Sequence, residues 1–124
     1  MAKKILIIED DLFLQGLEAT KLKKDGYELV TAVNSKEAFK IIDGGEKIDL
    51  ILLDLLLPEV DGFMILEKIR ENKAMLTVPV IVFSNLSEEK DIARAQKLGI
   101  SEFMVKSNFT LDELTKKVKD LIGN

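Results

Sequence analysis

Four short apolar runs in this chain each end on residues able to do chemistry. Ile5-Leu6-Ile7-Ile8 runs into Glu9-Asp10-Asp11, and Ile51-Leu52-Leu53 into Asp54. Val80-Ile81-Val82-Phe83 runs into Ser84-Asn85, and Phe103-Met104-Val105 into Lys106. A lone ionised carboxylate inside apolar surroundings is costly, so Asp54 belongs at a strand end, where the chain leaves the core and opens into a crevice. Pro58 then stops strand continuation. If these ends converge, three or four carboxylates repel one another, and a hard divalent cation relieves the repulsion. Mg2+ suits one or two carboxylates plus phosphate oxygens, with Mn2+ as its substitute. A bound cation also stabilises charge on a phosphoryl group. Asp54 is then a candidate nucleophile, because aspartyl phosphates are a known covalent intermediate. Ser84 offers a hydroxyl to a phosphoryl oxygen, and Lys106 a point charge for the carboxylate or the phosphoryl.

Composition narrows the chemistry further. The chain has no Cys and no His. Disulfides, thiolate catalysis, Cys zinc sites and His-dependent catalytic triads are therefore excluded. The net charge of −4 argues against broad binding to nucleic-acid phosphates. No apolar run approaches the roughly 20 residues that span a bilayer, and Met1-Ala2-Lys3-Lys4 leads straight into a strand-like run without a signal-peptide pattern. These features predict a cytoplasmic protein with no membrane contact. At 124 residues, 47% hydrophobic and 32% charged, it is expected to form one domain over 1–124 with a substantial core.

The elements that must position these residues alternate regularly. Strands are expected over 5–8, 28–33, 49–53, 80–83 and 102–105. Helices are expected between and after them. Leu14, Leu17 and Leu22 mark the first, which stops at Gly26. Asn34-Ser35 opens the second, with Ala38, Phe39, Ile41 and Ile42 as its apolar face. Met64, Ile65, Leu66 and Ile69 mark the third, ending near Asn72. Ser87 is expected to cap the fourth, which stops at Gly99, and Thr110-Leu111-Asp112-Glu113 is a capping box for the fifth. Such alternation predicts a doubly wound α/β fold, a parallel sheet with helices on both faces. The most aliphatic runs, the first, third and fourth, suit central strands. Order 2-1-3-4-5 satisfies this with right-handed crossovers. Its switch point lies between strands one and three, where ligands bind at the carboxyl ends. Those ends carry Glu9-Asp10-Asp11 and Asp54.

The four motifs, in this order and each at a strand end, resemble the receiver domains of bacterial two-component response regulators. The resemblance runs from about Lys4 to Ile122. It implies a flavodoxin-like (βα)5 sandwich, and the 2-1-3-4-5 order is that family's own, so pattern and resemblance are not independent support for it. It implies that Asp54 accepts phosphate from a histidine kinase or phosphotransfer protein. Asp10, Asp54 and the Leu56 backbone carbonyl would hold Mg2+ directly, and Glu9 through water. Ser84 and Lys106 would contact the phosphoryl group. Ser84 and Phe103 would form a switch that remodels the face of helix four, strand five and helix five, where a downstream protein docks. The protein would act as a signalling switch rather than an enzyme, as a monomer or weak dimer. After the fifth helix only Gly123-Asn124 remain, which predicts no output domain; Met1 just ahead of strand one fits a stand-alone module and a receiver from a longer regulator alike.

This sequence departs from the family pattern at four places. Ser107 stands where most receivers have Pro, and a non-prolyl bond after Lys106 is expected to be trans. Phe103 has no hydroxyl, so a switch there would act by packing alone. Asn85 replaces a small residue and would narrow access for large phosphodonors. Ile100 follows Gly99 where Ala is usual. Two other readings are weighed against the switch. A phosphatase of the haloacid dehalogenase type needs a second Asp two residues after its nucleophile, and here that position is Leu56. A phosphate-independent scaffold would not need the full acidic pocket.

Overall fold

The computed structural model describes residues 2–123. Five strands and five α-helices alternate along the chain: β1 (Lys4–Ile8), α1 (Leu12–Lys24), β2 (Glu28–Ala32), α2 (Ser35–Asp43), β3 (Leu50–Leu53), α3 (Gly62–Glu71), β4 (Val80–Ser84), α4 (Glu89–Lys97), β5 (Glu102–Val105) and α5 (Leu111–Ile122). The strands form one parallel sheet in the order β2-β1-β3-β4-β5. The aliphatic runs are the central strands, as predicted, because side chains on both faces must be covered by helices.

Strand alternation splits the core into two layers. Leu6, Ile8, Ile51, Leu53, Val80 and Val82 pack with residues of α2, α3 and α4. Ile5, Ile7, Leu50, Leu52, Ile81 and Phe83 pack with Leu22 of α1 and with Leu114 and Val118 of α5. Each such apolar side chain taken out of water contributes about 1.5–3 kcal/mol.

Helix ends follow the sequence with two corrections. Asn34 caps α2 by accepting from the Glu37 N–H, and Thr110 and Glu113 close a full capping box on α5. Ser87 does not cap α4; the cap position is Glu88, which makes no side-chain capping bond. The acid-rich first turn, Glu89 and Asp91, favours the helix dipole there instead. The second correction concerns α1. Its buried stripe is Gln15, Glu18 and Leu22, whereas Leu17 is 41% exposed. Spacing i, i+3, i+7 defines the inward face, and on this helix two of those three positions are polar.

One side chain ties the pole opposite the strands' carboxyl ends. Arg70, near the end of α3, donates to the carbonyls of Met75, Leu76 and Val78 ahead of β4, and to those of Leu98 and Gly99 at the end of α4, at 2.8–3.3 Å. Burial pulls its pKa down from the ordinary arginine value.

Candidate functional site

The site residues sit where the sheet lets go of the chain. Asp54 follows β3 directly, and its N–H donates to the Ile8 carbonyl of β1 at 3.0 Å. Glu9 follows β1 and donates to the Ala32 carbonyl of β2 at the same distance. The two carboxylates therefore hang from adjacent strand ends at the switch point. Ser84 closes β4 opposite Val105 of β5, is fully buried, and its Oγ accepts from the Leu86 N–H at 3.3 Å. Phe103 pairs with Val82 and packs, half-buried, against the α2–α4 layer. Alternation puts Ser84 on that same face, so the two residues of the expected switch share a layer.

Lys106 joins the acids. Its Nζ lies 2.6 Å from Glu9 Oε1 and 2.7 Å from Asp54 Oδ2, one ammonium bridging two buried carboxylates. The remaining oxygens are also held: Asp54 Oδ1 accepts from the Leu56 N–H at 3.0 Å, and Glu9 Oε2 from the Asp11 N–H at 3.1 Å. Asp11 caps α1, accepting from the Phe13 and Leu14 N–H groups. Burial pushes the Glu9 carboxyl up to about 7 and outweighs the pull of Lys106 and of the Asp11 N–H. For Lys106, burial acts downward, but its bonds to Asp54 and Glu9 win and hold it above the ordinary lysine value. No cis peptide bond occurs among the described residues, so the Lys106–Ser107 bond is trans as expected, and Lys106–Asn108 turns as a short 3-10 helix.

Glu9, Asp10 and Asp54 each bring a carboxylate oxygen to within 4.8 Å of the others. Three acids against the single Lys106 leave an excess negative charge, and an all-oxygen set of this kind fits a hard divalent cation. Leu56 enters the site through its N–H. A groove lined by Asp10, Leu12, Asn34, Leu57, Pro58 and Val60 opens beside the acids.

The loop after Asp54 is closed tightly. Leu56 and Asp61 form an antiparallel bridge, and the Gly62 N–H donates to the Leu55 carbonyl at 3.1 Å. Asp61 caps α3 through the Phe63 N–H. Arg94 of α4 lies over the Phe63 ring, 4.1 Å from its centroid, and 3.9 Å from Asp61. Sequence reading missed this link between α4 and the loop. It also missed Glu18, which is 1% exposed.

Residues 5–119 match the model of the response regulator receiver domain. The chain belongs to that family. The transcriptional regulatory protein KdpE of Staphylococcus aureus is 41% identical over 121 residues, covering 96% of this chain and 49% of its own length. The alkaline phosphatase synthesis regulator PhoP of Bacillus subtilis is 34% identical over 122 residues, covering 98% and 49%. The receiver thus spans about half the length of these curated relatives. Among solved structures, the response regulator TrrA of Thermotoga maritima, in complex with Mg2+ and BeF, superposes with a TM-score of 0.81 at 33% identity, over 96% of this chain and 98% of that one. The family is one of signalling switches, and receivers of response regulators interact with histidine kinases and downstream effectors. Among the described residues no helix is long and apolar enough to cross a membrane.

Proposed function

We propose that this receiver takes a phosphoryl group onto Asp54 from a histidine kinase or phosphotransfer protein in the cytoplasm, and signals by changed partner binding. The observation that carries this reading is the Asp54 carboxylate, 5% exposed, with one oxygen on the Leu56 N–H and the other on Lys106. A buried carboxylate held at both oxygens is oriented before any donor arrives, which removes part of the entropic barrier to transfer. An Asp54 oxygen attacks phosphorus; the bond to the donor imidazole nitrogen breaks, and the imidazole leaves with its electron pair. Lys106 stands where negative charge builds up, and the Ser84 hydroxyl can donate to a phosphoryl oxygen. Asp10, Asp54 and the Leu56 carbonyl would hold Mg2+, with Glu9 through water, and when bound the ion neutralises charge on the phosphoryl oxygens.

The test is incubation with a small phosphodonor and Mg2+, read by intact mass. Wild type should take one phosphoryl group per chain, dependent on Mg2+, and Asp54→Asn none. Multiple turnover of a phosphoester would instead indicate a phosphatase, and absence of label in wild type a scaffold.

Downstream, the reading places partner docking on α4, β5 and α5. A shallow groove between α4 and β5 is lined by Ile92, Gln96, Ile100 and Phe103, and Phe103 lies on the same sheet face as Ser84. The phosphoform should also be long-lived. Leu56, 49% exposed, and the half-buried Leu86 stand two residues beyond Asp54 and Ser84, and neither can orient a water. Leu56→Glu or Leu86→Lys should shorten the phosphoform half-life roughly tenfold, less than the about hundredfold or more of a fully positioned acid or base because a new side chain on a partly exposed loop is not held in place. Unchanged decay in both variants would defeat the idea.

A further inference from the structure

Glu18 is a carboxyl that the phosphotransfer chemistry leaves unused. It lies on the buried stripe of α1, one turn after Gln15 and one before Leu22. On the same side of the helix, Leu14 and Leu22 join the apolar layer shared with α5. The Glu18 side chain is withdrawn from solvent, and its Oε1 meets no hydrogen-bond donor. A buried polar atom without a partner requires an explanation, and an ionised carboxylate in this position is costly. Its neighbour on the stripe, Gln15, is satisfied by contrast, donating to the Glu9 and Ala32 carbonyls.

Glu18 is tied to the acid pocket through Gln15, one turn before it on the stripe, whose amide donates to the Glu9 carbonyl at 3.0 Å, and the charges that act on Glu18 are those of the pocket. They are Glu9 at the end of β1, Asp54 at the end of β3, Asp11 at the cap of α1, and the single cation Lys106 after β5. Between α1 and α5, Lys21 and Asp112 pair with each other at 2.5 Å on the surface. Glu18 therefore stands in the field of a cluster whose charge changes whenever a cation enters.

We propose that Glu18 is a proton-holding residue coupled to cation loading: it is a neutral acid while the pocket has an excess of carboxylates, and it releases its proton to solvent when a divalent cation enters the pocket. The inference rests on the cation site of the function proposed above. The balance is simple: the protonated carboxyl becomes a carboxylate, one H+ goes to solvent, and the two charges of the ion replace it in the field. Burial, followed by the Glu9 charge, raises the Glu18 carboxyl to about 8, so it enters this exchange protonated near neutrality. A double positive charge entering the pocket whose carboxylates already act on Glu18 should shift its proton equilibrium by roughly tenfold or more. Cation affinity then rises with pH more steeply than the pocket carboxylates alone would make it.

The test is calorimetric titration of the full chain with MgCl2 in two buffers of different ionisation enthalpy, at several pH values between about 6 and 8. The 13C resonance of the Glu18 carboxyl is followed in parallel. Wild type should release more protons per ion bound than Glu18→Gln and Glu18→Leu, and its Mg2+ affinity should climb with pH by up to about tenfold more per pH unit than in the variants. The Glu18 resonance should move to the carboxylate position on ion addition. Equal proton release in wild type and both variants, or a resonance that stays put while Mg2+ binds, overturns the inference and leaves the pocket reading intact. No Mg2+ binding to wild type overturns both. The Leu variant suits the apolar stripe and guards against a Gln variant that fails to fold.

Discussion

Gly62→Ala will cost the receiver about 3 kcal/mol or more, at the upper end of what overpacking usually costs. A Cβ at this position would stand 2.4 Å from the Leu55 Cα, 2.7 Å from its carbonyl oxygen and 2.9 Å from its carbonyl carbon. All three are backbone atoms, so no flexible side-chain tip can give way. The clash can be relieved only by opening the loop, which breaks the Gly62 N–H bond to Leu55 and the bridge between Leu56 and Asp61. Leu56 in turn holds Asp54 Oδ1, so the phosphoacceptor loses one of its two anchors along with the stability. Thermal unfolding should show a midpoint roughly 10 °C lower. Gly16→Ala is the control, because nothing lies within 4 Å of a Cβ there. That substitution, inside α1, should be neutral or stabilise by up to about 1 kcal/mol. Equal effects in the two variants would show that the close approach at Leu55 does not matter.

Stability should also fall as the solution becomes more alkaline, and Glu18 should be the main cause. Its carboxyl rises from an ordinary value of 4.5 to about 8 in the fold. The folded chain therefore holds a proton that the unfolded chain has lost, throughout the interval between those values. Stability from this group is fully present below about pH 4.5 and is lost as pH climbs towards 8, at no more than about 1.4 kcal/mol per pH unit. Glu9, raised to about 7, acts in the same direction over the lower part of the interval. Glu18→Leu removes the Glu18 contribution. It should be more stable than wild type by about 2–4 kcal/mol near pH 8.5, from the loss of an unpartnered buried acceptor and its charge. Near pH 5 the gain should shrink. Urea unfolding of both proteins across this range measures the slopes; parallel slopes would show that Glu18 is as ionised in the fold as outside it.

The fold was legible because strands and helices here differ sharply in pattern. Runs such as Ile5–Ile8 and Val80–Phe83 admit few alternatives, and Gly26, Asn34 and the Thr110 box mark real helix ends. Glu9, Asp54, Ser84 and Lys106 were legible for the same reason, since each follows an apolar run and the sheet order brings Glu9, Asp54 and Lys106 together, whereas Leu56 and Phe103 came only from the resemblance. Helix faces were harder. Leu14, Leu17 and Leu22 marked α1 by spacing, and Leu14 and Leu22 do pack inward, but Leu17 is exposed and Gln15 and Glu18 share the buried stripe with Leu22. Nothing local in the sequence makes a glutamate such as Glu18 the inward choice. The selection is made by the sheet and by α5. The Ser87 cap failed because capping depends on backbone angles at a loop end, which residue type only biases. Arg70 gave no signal at all: its five acceptors are carbonyls scattered over 75–99, brought together only by the finished fold.

That clasp gives the receiver a mechanical polarity. A guanidinium gripping Leu98 and Gly99 from one side, and the approach to β4 from the other, pins the tail of α4 to the frame of the sheet. The head of the same helix, at Glu88, has no side-chain capping bond, and Ala95 near the tail is the helix's one buried residue among those described. A rod clasped at its tail and without a side-chain cap at its head has the geometry of a lever. Were the Ser84 end displaced, α4 would swing about Arg70, most at its first turn and least at its last.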